Sequence, residues 1–152
     1  MRNRQDAKDA GQTGRNLRLT MMKRETSLWV EDAEYDLESA RAMLDSGRLF
    51  FVVFMCHLVV EKLLKAAIVE HCSMEPPKTH NLVGLAARSE IEIPDEYRTL
   101  VNELDGMGVV TRYPEGRRAL AGTLTDERAK SMYSRTAELA KWLKEEIGSR
   151  PS

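Results

Sequence analysis

Three ionisable side chains lie four residues apart within the most apolar stretch of the sequence. They are His57, Glu61 and Lys65, and the stretch Phe50–Cys72 that contains them has no glycine or proline. In an α-helix, residues at i and i+4 share a face, so the three side chains would form one line. Charged groups on a buried helix are costly unless they are paired. Glu61 and Lys65 therefore either form an ion pair along the helix or line a cleft or an interface, with Arg112 as a further partner for Glu61. His57 is either a hydrogen-bonded core histidine or a proton carrier.

A second group of polar residues surrounds His80. This histidine lies between Thr79 and Asn81, either of which can begin a helix, and backbone N–H groups at a helix start favour a phosphate. Together with Lys78 and Arg112, His80 would form a phosphate site for a nucleotide or RNA. The alternative is a capping turn without a ligand. The candidate ligand-binding cleft consists of Glu61, Lys65, Lys78, His80, Arg112 and Tyr113.

Composition limits the classes of function. The net charge is -1 and the pI is near 6.3, whereas proteins that bind nucleic acid usually carry a marked basic excess. Any such contact must therefore be local. The sequence contains no HExxH or Cys-x-x-Cys motif, so it predicts no metal site and no cofactor. No apolar run is long enough to span a bilayer and no secretory signal is recognisable, which predicts a cytoplasmic protein without membrane contact.

The two cysteines agree with the predicted cytoplasmic location, which is a reducing compartment. Cys56 and Cys72 are sixteen residues apart on one predicted helix, which places them roughly 24 Å from each other at 1.5 Å per residue. This distance is far beyond the reach of a disulfide. We therefore expect two reduced thiols.

The helices that must position these residues can be read from their apolar periodicity. The first begins at Thr26 or Ser27 and ends at Gly47, and the second, Phe50–Cys72, is apolar around its whole circumference and must be central. Shorter helices follow Asn81 and Pro94, the latter ending at two glycines. The last helix runs from Thr125 or Asp126 to Gly148, and the segment 109–116 is predicted to be a loop.

No stretch alternates apolar and polar residues long enough for a sheet, so the fold class is all-α. We expect an antiparallel bundle of four to five helices, formed by residues 26–148. Residues 1–25 lack periodicity and are rich in arginine and lysine, which predicts a mobile basic tail. A central helix that is apolar on all sides needs additional cover, so a homodimer is expected.

Four motifs in order resemble the HEPN domain family. They are Ala33–Ala40, Val60–Ala66, Lys78–Leu82 and Thr111–Pro114. The resemblance covers roughly residues 27–147 and implies a helical bundle that generally dimerises. Many members of this family form toxin–antitoxin pairs with a minimal nucleotidyltransferase, and others are ribonucleases or bind nucleotides.

One motif of the ribonuclease members is missing. In those members an arginine is followed four to six residues later by a histidine, and none of His57, His71 and His80 has an arginine at that upstream offset. The resemblance therefore implies an interaction or nucleotide-binding module that acts with a nucleotidyltransferase partner. The alternatives are a metal-independent endoribonuclease toxin, which the missing motif weakens, and a ligand-free homodimer.

Overall fold

The computed structural model describes residues 22–149, which form six α-helices and no strand. The helices are α1 (Arg24–Asp45), α2 (Leu49–Cys72), α3 (Leu82–Arg88), α4 (Asp95–Val110), α5 (Pro114–Ala121) and α6 (Asp126–Ser149). The prediction of an all-α bundle is confirmed. The expected mobile tail lies outside the described residues as far as residue 21.

Helix α2 is the centre of the bundle. It packs against α1, α3, α4 and α6, and its apolar side chains are buried on every side of the helix. Cys56 and Cys72 are not joined by a disulfide, as predicted. Burial raises the pKa of Cys56 to about 11, and the nearby Thr136 side chain lowers it by less. The apolar circumference of α2 thus accounts for its place in the core.

A tight turn joins α1 to α2. Gly47 has a φ of 74°, in the left-handed region where a side chain would be strained. Its N–H donates to the carbonyl of Leu44 at 3.1 Å, and the N–H of Arg48 donates to that of Met43 at 2.8 Å. These two bonds form a Schellman motif, which ends α1 where the sequence predicts. The chain then reverses, so α1 and α2 form an antiparallel hairpin.

The start of α1 differs from the prediction. The helix begins at Arg24, and Thr26 is not its N-cap but is buried, where its hydroxyl donates to Glu70 Oε2 at 2.6 Å. Lys23 Nζ donates to the carbonyls of Val69 and Glu70, each at 3.1 Å, at the C-terminus of α2. Contacts between the two helices therefore set this boundary in place of a local cap, and no periodicity within α1 could have revealed them.

The segment after Leu104 was predicted wrongly. Neither Gly106 nor Gly108 ends α4, which continues to Val110. After a short turn, Pro114 takes the first position of α5, where the missing N–H of proline is not needed. The sequence analysis missed α5 because Pro and Gly were interpreted only as loop signals.

The remaining helices agree with the sequence more closely. Asn81 caps α3, since its side-chain oxygen accepts from the N–H of Gly84 at 2.8 Å. The last helix, α6, begins at Asp126 as predicted and buries one face against α2. Within residues 22–149, no helix combines the length and the apolar character that crossing a lipid bilayer requires.

Candidate functional site

Glu61 is the centre of a cluster of ionisable side chains on α2. Its Oε1 accepts a hydrogen bond from Nδ1 of His80 at 2.8 Å, and its Oε2 accepts one from Nζ of Lys65 at 3.3 Å. His57 Nδ1 lies 3.7 Å from the same Oε1, beyond hydrogen-bond distance. The predicted line of three residues is therefore present, and Glu61 joins it to His80. We call these four residues the Glu61 cluster.

Lys65 is held between Glu61 and an aromatic ring. Its ammonium lies 5.6 Å from the centroid of the Trp29 ring on α1, within the range of a cation–π interaction. Both Lys65 and Glu61 are buried. A buried ion pair of this kind is costly to break from one side, because the remaining charge would lack a partner.

His80 is the member of the cluster that faces solvent. It precedes α3, and 59% of its side chain is exposed. Since Glu61 accepts at Nδ1, that nitrogen carries the proton and Nε2 is left with its lone pair. A carboxylate that fixes the tautomer and the orientation of an imidazole in this way prepares Nε2 to accept a hydrogen bond, or to donate one when protonated.

Arg112 lies next to the cluster, in the turn after α4. Its Nε donates to the carbonyl of Gly108 at 3.3 Å, and its guanidinium lies 5.5 Å from the centroid of the Phe54 ring. Within residues 22–149 no ion pair joins it to Glu61, contrary to the sequence-based prediction. Because α4 continues to Val110, Arg112 folds back over the last turn of α4. Its Nη2 is buried and has no hydrogen-bond partner among the described residues.

His57 connects the two parts of the site. Its side chain is 1% exposed, and neither ring nitrogen has a hydrogen-bond partner among the described residues. Burial has the largest effect on His57 and lowers its pKa below 6.5. Among the neighbouring groups, Glu61 and Asp105 raise this pKa, whereas Arg112 and His80 lower it. The sequence analysis left His57 out of the site, although its spacing from Glu61 pointed to it.

The lowered pKa of His57 predicts how stability depends on pH. Because the folded state disfavours the proton, the unfolded chain binds it more readily between the two pKa values. The contribution of neutral His57 to the free energy of unfolding is complete above about pH 6.5 and is lost as the pH falls. Urea unfolding between about pH 7.5 and pH 5.5 should show this loss, and His57→Gln should reduce it.

His71→Gln is the matched control for this measurement, since His71 lies outside the cluster with Nε2 at 3.3 Å from the carbonyl of Ile147. This variant should keep the slope of the wild-type protein. An equal slope in His57→Gln and in the wild type would contradict the assignment of the acid sensitivity to His57.

The other predicted residues do not join the cluster by direct contact. Lys78 and Tyr113 are exposed, and within residues 22–149 neither side chain forms a hydrogen bond or ion pair with Glu61, His80 or Arg112. A residue that the sequence analysis missed, Asp105, accepts from the N–H of Leu82 at 2.8 Å and so holds the start of α3. No sequence signal distinguished it from other acidic residues on helices.

The arrangement can bind an anion but is not arranged around a metal ion. Within the described part of the chain, no three His, Cys, Asp or Glu side chains converge to hold a metal. The site instead combines an exposed imidazole with fixed orientation and a guanidinium whose buried Nη2 has no hydrogen-bond partner among residues 22–149. Arginine donates to the oxygens of a phosphate group, and His80 does so through Nε2 when that nitrogen also carries a proton.

Comparison with known proteins decides the family. The family profile described as HEPN domain matches residues 26–147. The chain belongs to the HEPN domain family. This confirms the resemblance that the four motifs carry. No curated protein is similar enough to the chain to count as a match.

Two solved structures share the fold of this HEPN domain. The crystal structure of TT1696 from Thermus thermophilus has a TM-score of 0.69 and 19% sequence identity, and the match covers 81% of this chain and 98% of that chain. The crystal structure of ST0689, described as an archaeal HEPN homologue, has a TM-score of 0.64 and 22% identity, with 82% and 99% covered. At these identities the likeness shows the fold alone.

Proposed function

We propose that the chain is a HEPN interaction module that binds the phosphate groups of a nucleotide and acts with a minimal nucleotidyltransferase partner. The observation that carries this proposal is the pairing of His80, oriented by Glu61, with Arg112, whose Nη2 is unpaired among the described residues. His80 lies in the segment before α3 and Arg112 in the turn after α4, and both act electrostatically on His57. Membership of the HEPN family supplies the partner class.

Charge balance favours a phosphate at this position. Lys65 compensates the carboxylate of Glu61, so Glu61 does not oppose a second anion as a free carboxylate would. Arg112 has no acidic partner among the described residues, and its buried Nη2 has donor capacity to spare, which a phosphate reaches once the guanidinium turns outward. Lys78 is exposed two residues before His80 and can approach a longer polyphosphate.

Binding is favoured over cleavage because the ribonuclease motif is missing. Arg112 has no histidine after it in the sequence, so a general acid would have to come from His80 on another element. Within the family, such a module fits a toxin–antitoxin-like pair, in which a homodimer of the HEPN chain contacts the transferase.

The phosphate site can be tested by isothermal titration calorimetry with ATP. We expect saturable binding to the wild-type protein and about tenfold weaker binding to Arg112→Gln, since a hydrogen bond to a charged group contributes about 1.5–3 kcal/mol. Lys130→Gln is the control, because it removes one positive charge from an exposed position on α6. Equal affinities of the Arg112→Gln and Lys130→Gln variants, or no binding of ATP to any of them, would overturn the phosphate site.

The partner can be tested by coexpression with a minimal nucleotidyltransferase encoded beside the gene. We expect the two chains to elute together in size-exclusion chromatography, and the isolated HEPN chain to sediment as a dimer at micromolar concentration. A monomer that elutes separately from the transferase would refute the assembly while leaving the phosphate site to its own test.

One observation favours a second candidate, a metal-independent endoribonuclease. The exposed His80, with its tautomer fixed by Glu61, has the environment of a general acid or base. Cleavage of RNA in the presence of EDTA that is abolished by His80→Ala and by Arg112→Ala would favour this function. Intact RNA after incubation with the wild-type protein would exclude it.

A further inference from the structure

Gly108 of α4 contacts both a buried histidine and an arginine that is folded back onto the protein. The ring of His57 occupies the space where a Cβ of Gly108 would lie. The carbonyl of the same glycine accepts a hydrogen bond from Nε of Arg112 at 3.3 Å. The guanidinium of Arg112 lies 5.5 Å from the ring centroid of Phe54, which is one helical turn before His57 on α2. The imidazole and the guanidinium are therefore held on either side of one residue.

Both side chains bury polar atoms that have no partner. Within residues 22–149, neither ring nitrogen of His57 and not the Nη2 atom of Arg112 has a hydrogen bond. A neutral imidazole costs less in such an environment than an imidazolium, because burying an unpaired charge costs much more than burying an unpaired polar atom. The guanidinium of Arg112 is charged at every pH at which the protein is folded. A proton on His57 would therefore place a second positive charge in the same buried region.

The ionisable groups around His57 determine what such a proton would do. Within residues 22–149, the groups that act on His57 are Glu61 on α2, His80 before α3, Asp105 on α4 and Arg112 after α4. Nδ1 of His57 lies 3.7 Å from Oε1 of Glu61, so an N–H at this nitrogen would be attracted to the carboxylate. The same positive charge repels the guanidinium of Arg112, which is why Arg112 lowers the pKa of His57.

We propose that His57 is a proton-operated latch for Arg112. While the imidazole is neutral, it packs against Gly108 and Arg112 stays folded over Phe54. When the imidazole takes a proton from solvent, its charge turns towards Glu61 and drives the guanidinium of Arg112 outward. Arg112 lies in the turn after α4, so it can move without unwinding a helix. The release needs no ligand, and only its consequence, easier access of a phosphate to Arg112, rests on the proposed function.

NMR spectra of the full chain without any ligand can test the latch. At about pH 7.5 we expect nuclear Overhauser effects (NOEs) between the Phe54 ring and the side chain of Arg112. These NOEs should be lost over the same pH range in which the ¹⁵N shifts of the His57 ring report its protonation. The latch would be overturned if the NOEs persisted after His57 had gained its proton, or if His57 stayed neutral down to the onset of acid unfolding.

Arg117 is the matched control within the same chain. Its guanidinium lies 5.7 Å from the ring centroid of Phe51, and its Nε donates to the carbonyl of Thr111 at 2.7 Å. It therefore makes the same two kinds of contact as Arg112 without a histidine beneath its carbonyl partner. The NOEs between Arg117 and Phe51 should persist on acidification. Their loss together with those of Arg112 would mean a general opening of the domain and would contradict the latch.

Two variants assign the release to His57. In His57→Gln, which cannot take up the proton, the NOEs between Arg112 and Phe54 should remain at about pH 5.5. Asp105→Asn retains His57 and keeps an oxygen that can accept from the N–H of Leu82. Because Asp105 raises the pKa of His57, this variant should move the midpoint of the release to lower pH. Equal pH dependence in the wild type and His57→Gln, or an unchanged midpoint in Asp105→Asn, would overturn the proposal.

Sulfate tests the consequence for anion binding, because its charge does not change between about pH 7.5 and pH 5.5. On acidification, the gain in sulfate affinity should be about tenfold larger in the wild type than in His57→Gln, since the released Arg112 no longer has to leave Gly108 and Phe54. Release of Arg112 with equal gains in both proteins would support the latch and contradict the phosphate site. Sulfate binding that requires Arg112 while the NOEs persist would support the site and contradict the latch.

Discussion

Replacing Gly108 with alanine is expected to lower the free energy of unfolding by about 2 kcal/mol, as overpacked core positions typically do. A Cβ at this position would overlap Cδ2 of His57 and lie 2.6 Å from Nε2 of the same ring. The imidazole cannot move aside freely, because it is buried between α2 and α4. Urea unfolding measures the loss, which outweighs the higher helix propensity of alanine.

Gly106 is the matched control on the same helix. No atom lies within 4 Å of a Cβ built there, so Gly106→Ala should raise stability by up to about 1 kcal/mol through helix propensity alone. In a His57→Ala background, the loss caused by Gly108→Ala should fall below about 1 kcal/mol, since the clashing atoms are gone. Similar effects of the Gly106 and Gly108 substitutions would contradict the close packing of α4 on His57.

Replacing Glu61 with glutamine is expected to destabilise the domain by about 3 kcal/mol and to weaken ATP binding. The change leaves the buried ammonium of Lys65 without its anionic partner and replaces the charged acceptor that orients His80 with a neutral amide, which accepts more weakly or turns its NH₂ group towards the ring. The free energy of unfolding from urea titration measures the first effect, and calorimetry measures the second. The variant Glu61→Gln/Lys65→Met should recover most of the stability but not the binding, because only stability depends on pairing Lys65.

Glu34→Gln is the control for the loss of a carboxylate. Glu34 pairs with Lys144 at 3.3 Å between partly exposed side chains, and such pairs contribute about 0–1 kcal/mol. Stability changes of equal size in Glu34→Gln and Glu61→Gln would mean that the Glu61 cluster is not a buried ion-pair network.

The fold was predictable wherever one helix carried its own signal. The apolar circumference of α2 and the end of α1 at Gly47 are local features, and both were predicted correctly. The cap at Asn81 is also local and was one of the two predicted alternatives, Thr79 and Asn81. The start of α1 and the end of α4 were not predictable, because contacts with other helices set them. Lys23 binds the end of α2, and Gly108 continues its helix against His57.

In the candidate site, too, the features with a local sequence signal were predictable and those set by contacts between elements were not. The i, i+4 spacing predicted that Glu61 and Lys65 would meet, and they do. The contact of His80 with Glu61 depends on the course of the chain after α2, which spacing does not specify, and the missed residue Asp105 belongs to a helix whose neighbours were unknown. The predicted pairing of Arg112 with Glu61 failed because the α4 helix is longer than its glycines suggested.

The imidazole nitrogens of the histidines provide the most direct measurement of the phosphate site. The chain contains three histidines, so ¹⁵N spectra of the ring nitrogens resolve His57, His71 and His80 individually. On addition of ATP, we predict a shift of Nε2 of His80 and a smaller shift of the buried His57 ring, with His71 unchanged. The phosphate site would be contradicted if saturating ATP did not change the ¹⁵N chemical shifts of His80 and His57, or if it changed those of all three histidines equally.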